Sequence, residues 1–96
     1  MNLKEMYRQA WEKWGDLQWI MVIEECAELQ QAVTKRLRDG DKPIVRQHLA
    51  EEIADVKIMI EQVESNDPDL MVAIDVFRER KLARLGNLLK EANDGK

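Results

Sequence analysis

Six acidic residues fall into two matching groups, Glu24-Glu25-Cys26-Ala27-Glu28 and Glu51-Glu52-Ile53-Ala54-Asp55. Each group reads acid-acid-x-x-acid. On a helix, residues three apart share a face. Glu25 and Glu28 therefore project together from one segment, and Glu52 and Asp55 from another. Four carboxylates brought to one place repel, and each is pushed toward its protonated form. A divalent cation with a preference for oxygen removes that cost. The chemistry expected of such a centre is metal-assisted hydrolysis of a phosphate compound, with magnesium as the ion and manganese as its substitute. Glu24 and Glu51 project about a third of a turn away. They are expected either to orient the attacking water or to remain supporting or surface groups.

One such motif alone usually means a solvated acidic face. Two of them on consecutive helices, each bordering an apolar row, favour a shared site. The row Met21, Glu25, Glu28 and Ala32 borders the seam Val22, Cys26, Leu29, Val33 and Leu37. The row Val45, His48, Glu52, Asp55 and Met59 borders the seam Leu49, Ile53, Val56, Ile60 and Val63. Charges left at such a border are costly unless paired or metal-bound. A di-iron bundle would use Glu-x-x-His pairs, and the one histidine, His48, follows Val45 at that spacing. Zinc is poorly served by one histidine and one cysteine. His48 stands one turn before Glu52 and is expected to hydrogen-bond to it or to the preceding loop. Cys26 lies on the seam as an inert core residue.

The elements that must position these residues are helices. Leu3 to Trp14 carries Met6, Tyr7, Ala10, Trp11 and Trp14 at spacings of three and four. Gly15-Asp16 breaks it, with Asp16 as the N-cap of the next helix. The second helix is expected over 16–39, with Lys35, Arg36 and Arg38 crowding its last turn, where cations suit the dipole. Gly40 takes a left-handed position after it, and Pro43 opens the third helix, over 43–65. Asn66 or Asp67 caps a fourth helix over 68–92, with Pro68 in its first turn. No stretch alternates as a strand does. The expectation is one all-α domain over 1–96: an antiparallel helical bundle of a short first helix, residues 1–15, and three longer ones.

The last helix offers two registers. Leu70, Ile74 and Phe77 open a row that continues through Lys81, Arg84 and Leu88, placing two cations where they suit phosphate oxygens. A second row, Met71, Ile74, Leu82, Leu85 and Leu89, leaves both cations partly exposed. Trp11, Trp14 and Trp19 gather at the first helix junction. They serve as core or subunit contacts, or as a flat wall for a nucleobase. Trp19, six residues before Glu25, is the candidate base contact.

Composition narrows the classes. The chain is 45% hydrophobic and 35% charged, too apolar for disorder. Its net charge of -4 argues against binding a nucleic acid polymer, which favours a basic surface. No apolar run approaches the ~20 residues of a membrane span. One cysteine permits no intrachain disulfide, and the start of the chain has no basic-then-apolar leader, so the expectation is a cytoplasmic protein.

At the two acidic motifs the chain resembles the all-α nucleotide pyrophosphohydrolases of the MazG-like superfamily. That group includes dimeric dUTPases, dCTP pyrophosphatases and phosphoribosyl-ATP pyrophosphohydrolases. The shared signature is EExxE, a helix–loop–helix gap, then EExxD. Here 22 residues separate the two motifs, and the resemblance spans roughly residues 17–85. It implies that Glu25, Glu28, Glu52 and Asp55 bind magnesium, and that a nucleoside triphosphate is hydrolysed to the monophosphate and pyrophosphate. It implies that Lys81 or Arg84 contacts phosphate. It also implies a homodimer or homotetramer, the site in some members being completed by a neighbouring subunit. Two other readings stay open: a non-catalytic helical assembly protein, which the apolar seams serve equally well, and an enzyme acting on phosphoribosyl-ATP through the same centre.

Overall fold

A computed structural model describes residues 1–95. They form four helices, α1 (Leu3–Trp14), α2 (Leu17–Asp39), α3 (Pro43–Asn66) and α4 (Pro68–Asp94), and no strand. Among the described residues no helix is long and apolar enough to cross a membrane. Local chemistry sets most of the boundaries. The side chain of Asn2 accepts from the backbone N–H of Glu5 at 2.9 Å and caps α1. Gly15 and Gly40 end α1 and α2 with positive φ of 54° and 86°, and their N–H groups close onto Trp11 and Arg36. Both positions favour glycine, which carries no Cβ. Asp67 accepts from the N–H of Leu70 at 3.1 Å, ahead of Pro68. The expected cap of α2 is corrected: Asp16 has helical backbone angles and its side chain caps nothing. The tight turn through Gly15 has already bent the chain, and the carbonyls of Gly15 and Asp16 accept from Gln18 and Trp19 instead.

The helices divide into two compact units. The first, Met1–Asn66, holds α1, α2 and α3; the second begins at Asp67 and consists of α4. In the first unit, α2 and α3 form an antiparallel hairpin joined by the short turn at Gly40, and α1 packs mainly on α3. Three side-chain pairs give the register: Gln18 with Gln62, Glu25 with Asp55, and Glu28 with Glu52. The members of each pair are equidistant in sequence from Gly40, as an antiparallel hairpin folded about that residue requires.

This register turns the helices further than the apolar count implies. The rows read as bordering the core are the rows between α2 and α3. Ala32, Met59 and Glu52 are 1%, 7% and 8% exposed, whereas Val33, Leu37, Ile53 and Ile60 stand 41%, 81%, 42% and 39% exposed. Val22, Cys26, Leu29, Leu49 and Val56 are half-buried, and only Val63 of the two seams is buried. Both helices carry apolar side chains on more than one side, so spacing alone cannot choose between adjacent rows.

The interior of the first unit is partly polar. Gln18 and Gln62 are buried side by side, Gln18 Nε2 donating to Gln62 Oε1 at 2.6 Å. Tyr7 is the buried residue of α1, and its hydroxyl donates to Glu61 at 2.8 Å. Asn66 Nδ2 donates to the carbonyls of Tyr7 and Gln62, which fixes the end of α3 beneath α1. Burial and the Glu61 carboxylate hold the Tyr7 hydroxyl above its usual range. Tyr7→Phe is expected to cost about 1–2 kcal/mol, because a hydrogen bond to a charged acceptor is lost while Glu61 stays solvated. Urea denaturation of the variant against the parent chain checks this.

Helix α4 is amphipathic by itself. None of its residues is buried, and Phe77, Leu82, Leu85, Leu88 and Leu89 are between 45% and 55% exposed. Neither of the two rows read along it is therefore buried in this unit, and Lys81 and Arg84 are both exposed.

Candidate metal centre

The hairpin register brings the two acidic motifs face to face. Glu25 and Glu28 lie one turn apart on α2, and Glu52 and Asp55 one turn apart on α3. One carboxylate oxygen from each of the four lies within 4.8 Å of the others. The four differ in burial: Glu52 is buried, Glu25 half-buried, and Glu28 and Asp55 exposed. The cluster thus sits on the rim of the α2–α3 interface, with one end closed by packing and the other open to solvent.

Too few donors reach these oxygens. The Oε2 atoms of Glu25 and Glu52 are buried and have no hydrogen-bond partner. The facing carboxylates can satisfy one another only by sharing a proton. Burial first, and then the charges of Glu28, Asp55 and Glu52, raise the pKa of Glu25 above the ordinary value. Burial, followed by the Glu28 charge, likewise raises Glu52, against a smaller lowering by His48. His48 Nε2 lies 3.3 Å from Glu52 Oε1, the neighbour expected from sequence. Among the described residues no lysine or arginine pairs with any of the four acids. The arginines around the turn are taken up by Asp39 and Asp41 instead.

Native structures rarely leave buried carboxylate oxygens without a donor or a cation. The donor set here consists of oxygen alone. Its span is that of ligands gathered around a hard dication, whose bonds to oxygen run to about 2.0–2.6 Å. The arrangement fits magnesium, manganese or calcium, and fits poorly with metals that select nitrogen or sulfur.

The remaining candidates are spread out. Glu24 and Glu51 are exposed, outside the converging four, and Glu51 accepts from Gln47 at 3.4 Å. Trp19 is 44% exposed and meets Trp11 edge to face, with ring centroids 5.6 Å apart. Trp14 is 48% exposed and stacks with Lys13 instead. Lys81 and Arg84 belong to the second unit, on α4. The Gln18–Gln62 pair belongs to neither acidic motif nor apolar seam. Its one signal was a pair of amides in rows that also carry apolar residues. No family model, curated protein or solved structure matches this chain, so the carboxylate geometry carries the functional argument alone.

Proposed function

We propose that this protein is a magnesium-dependent nucleoside triphosphate pyrophosphohydrolase of the MazG-like kind, releasing pyrophosphate and a nucleoside monophosphate in the cytoplasm. The observation that carries the reading is the convergence of Glu25, Glu28, Glu52 and Asp55, two of them with donorless buried oxygens, across an antiparallel hairpin. These four residues hold the metal, magnesium by preference and manganese as a substitute. When bound, the ion offsets the charge of the phosphate oxygens and of the leaving group.

The reaction adds one water across the anhydride between the α and β phosphates. The water oxygen bonds to one of the two phosphorus atoms, and the bridging P–O bond breaks, its electron pair staying with the departing oxygen. Glu51 or Glu24, both within the acidic motifs and open to solvent, orients the water and takes its proton. Trp19, 44% exposed, offers its ring to the base.

The rival reading, a helical assembly module, draws on the exposed apolar residues of α2, α3 and α4. The same residues serve a homodimer or homotetramer of the enzyme, since an uncovered amphipathic helix gains most of its stability from packing. Incubation with a panel of ordinary, deoxy and damaged nucleoside triphosphates and phosphoribosyl-ATP is expected to release pyrophosphate from at least one substrate only when magnesium is present. The same sample, sized by light scattering, is expected to be a dimer or tetramer. No turnover across the panel would leave the assembly reading standing.

A further inference from the structure

A groove of about 330 Å³ opens between α2 and α3 on the turn side of the carboxylates. It is lined by Lys35 from α2 and by Ile44, Val45, Gln47, His48 and Glu51 from α3. His48 links it to the acidic cluster through its 3.3 Å contact with Glu52. Lys35 follows Glu28 by seven residues, which is two helical turns, about 10 Å along the axis and close to the same face. The hairpin register sets it opposite Val45. Helical side chains lean toward the N-terminus of their helix, which carries the Lys35 ammonium back toward Glu28. Arg36, Arg38 and Arg46 nearby are each held by Asp39 or Asp41, whereas Lys35 enters no ion pair among the described residues.

A free ammonium in the groove and a cation-seeking cluster beyond it, adjoining through the contact of His48 with Glu52, together suit an elongated polyanion. The geometry points to Lys35 as the binding group for the terminal phosphate of the nucleotide. The triphosphate then lies along the α2–α3 groove with its free end toward the Gly40 turn and its nucleoside toward α1. The inference rests on the function proposed above and adds a polarity to it. Trp19 lies toward the opposite end of α2, edge to face with Trp11 of α1, on the side to which that polarity sends the base.

Calorimetry on the full chain tests the assignment without any turnover, using magnesium alone and then inorganic tripolyphosphate in excess magnesium. Lys35 is exposed, so its replacement leaves the hairpin intact. Lys35→Met is expected to bind magnesium as the parent does and tripolyphosphate about tenfold more weakly, one charge-assisted contact being lost. Lys35→Arg is expected to recover most of the affinity. Unchanged tripolyphosphate binding by Lys35→Met, with magnesium still bound, would overturn the role of Lys35 and leave the metal centre standing. Absence of magnesium binding by the parent chain would remove the centre itself, and the polarity with it.

Discussion

Magnesium added to the metal-free protein at neutral pH is expected to raise its melting temperature by about 10–20 °C. The shift follows from mass action. A ligand that binds only the folded state, at about 100 times its dissociation constant, adds about 2.7 kcal/mol. Each kcal/mol moves the midpoint of a domain of this size by roughly 4–8 °C. The folded hairpin alone assembles Glu25, Glu28, Glu52 and Asp55 within 4.8 Å, so the unfolded chain has no comparable site. Sodium at matched ionic strength is the control, because general screening would relieve repulsion without ligation. The metal-free protein has a second signature. Glu25 and Glu52 hold their protons to higher pH when folded than when unfolded. The stability linked to those protons is present in full below the ordinary glutamate value and is lost as pH rises through the raised folded values. Asp39, whose pKa is lowered by Arg38, acts in the opposite sense and only at lower pH. Above the ordinary glutamate range the metal-free chain is therefore expected to melt lower as pH rises, and magnesium to flatten or reverse that trend. A melting curve indifferent to both magnesium and manganese would favour the plain assembly protein.

The sequence makes the helices legible because their punctuation is local. Gly15, Gly40, Pro43, Asp67 and Pro68 each act on the backbone within a residue or two: α1 and α2 end, and α3 and α4 begin, beside them, whereas α4 runs to Asp94, past the expected 92. The pairing of the acids was legible for a similar reason. A spacing of three on each helix, combined with a short turn, leaves few ways to fold α2 on α3. The rotation of the helices was not legible. Leu37 and Ile53 look as apolar as Val63, yet they are exposed, because the choice between adjacent rows depends on how Ala32, Met59 and the Gln18–Gln62 pair interlock. That is a property of two helices together, and no count along one of them contains it. The free ammonium of Lys35 was hidden for the same reason: the ion pairs of Arg36 and Arg46 with Asp41 form only once the turn is closed.

Glu52→Gln is expected to move activity and metal-free stability in opposite directions. Glu52 is the most buried of the four acids, and its Oε2 has no partner. The amide is nearly isosteric and neutral. Its Nε2 can donate to the Glu28 carboxylate, which lies within hydrogen-bonding reach, while its oxygen keeps the contact with His48. Replacing a buried anion that lacks a cation by a hydrogen-bonded neutral group stabilises the folded state. The metal-free variant is therefore expected to melt above the metal-free parent. The same substitution removes one charged ligand from the centre. Loss of groups that merely orient ligands costs about 10–100-fold in affinity or activity, so loss of a ligand is expected to lower pyrophosphate release by at least about 100-fold and to erase most of the magnesium-dependent rise in melting temperature. Asp55→Asn tests the exposed side of the cluster: the metal response is again expected to vanish, with less gain in metal-free stability because Asp55 is already solvated. A Glu52→Gln chain that melts lower than the parent without metal, yet keeps its response to magnesium, would show that Glu52 serves the packing of α2 on α3 and that the cation, if any, binds elsewhere.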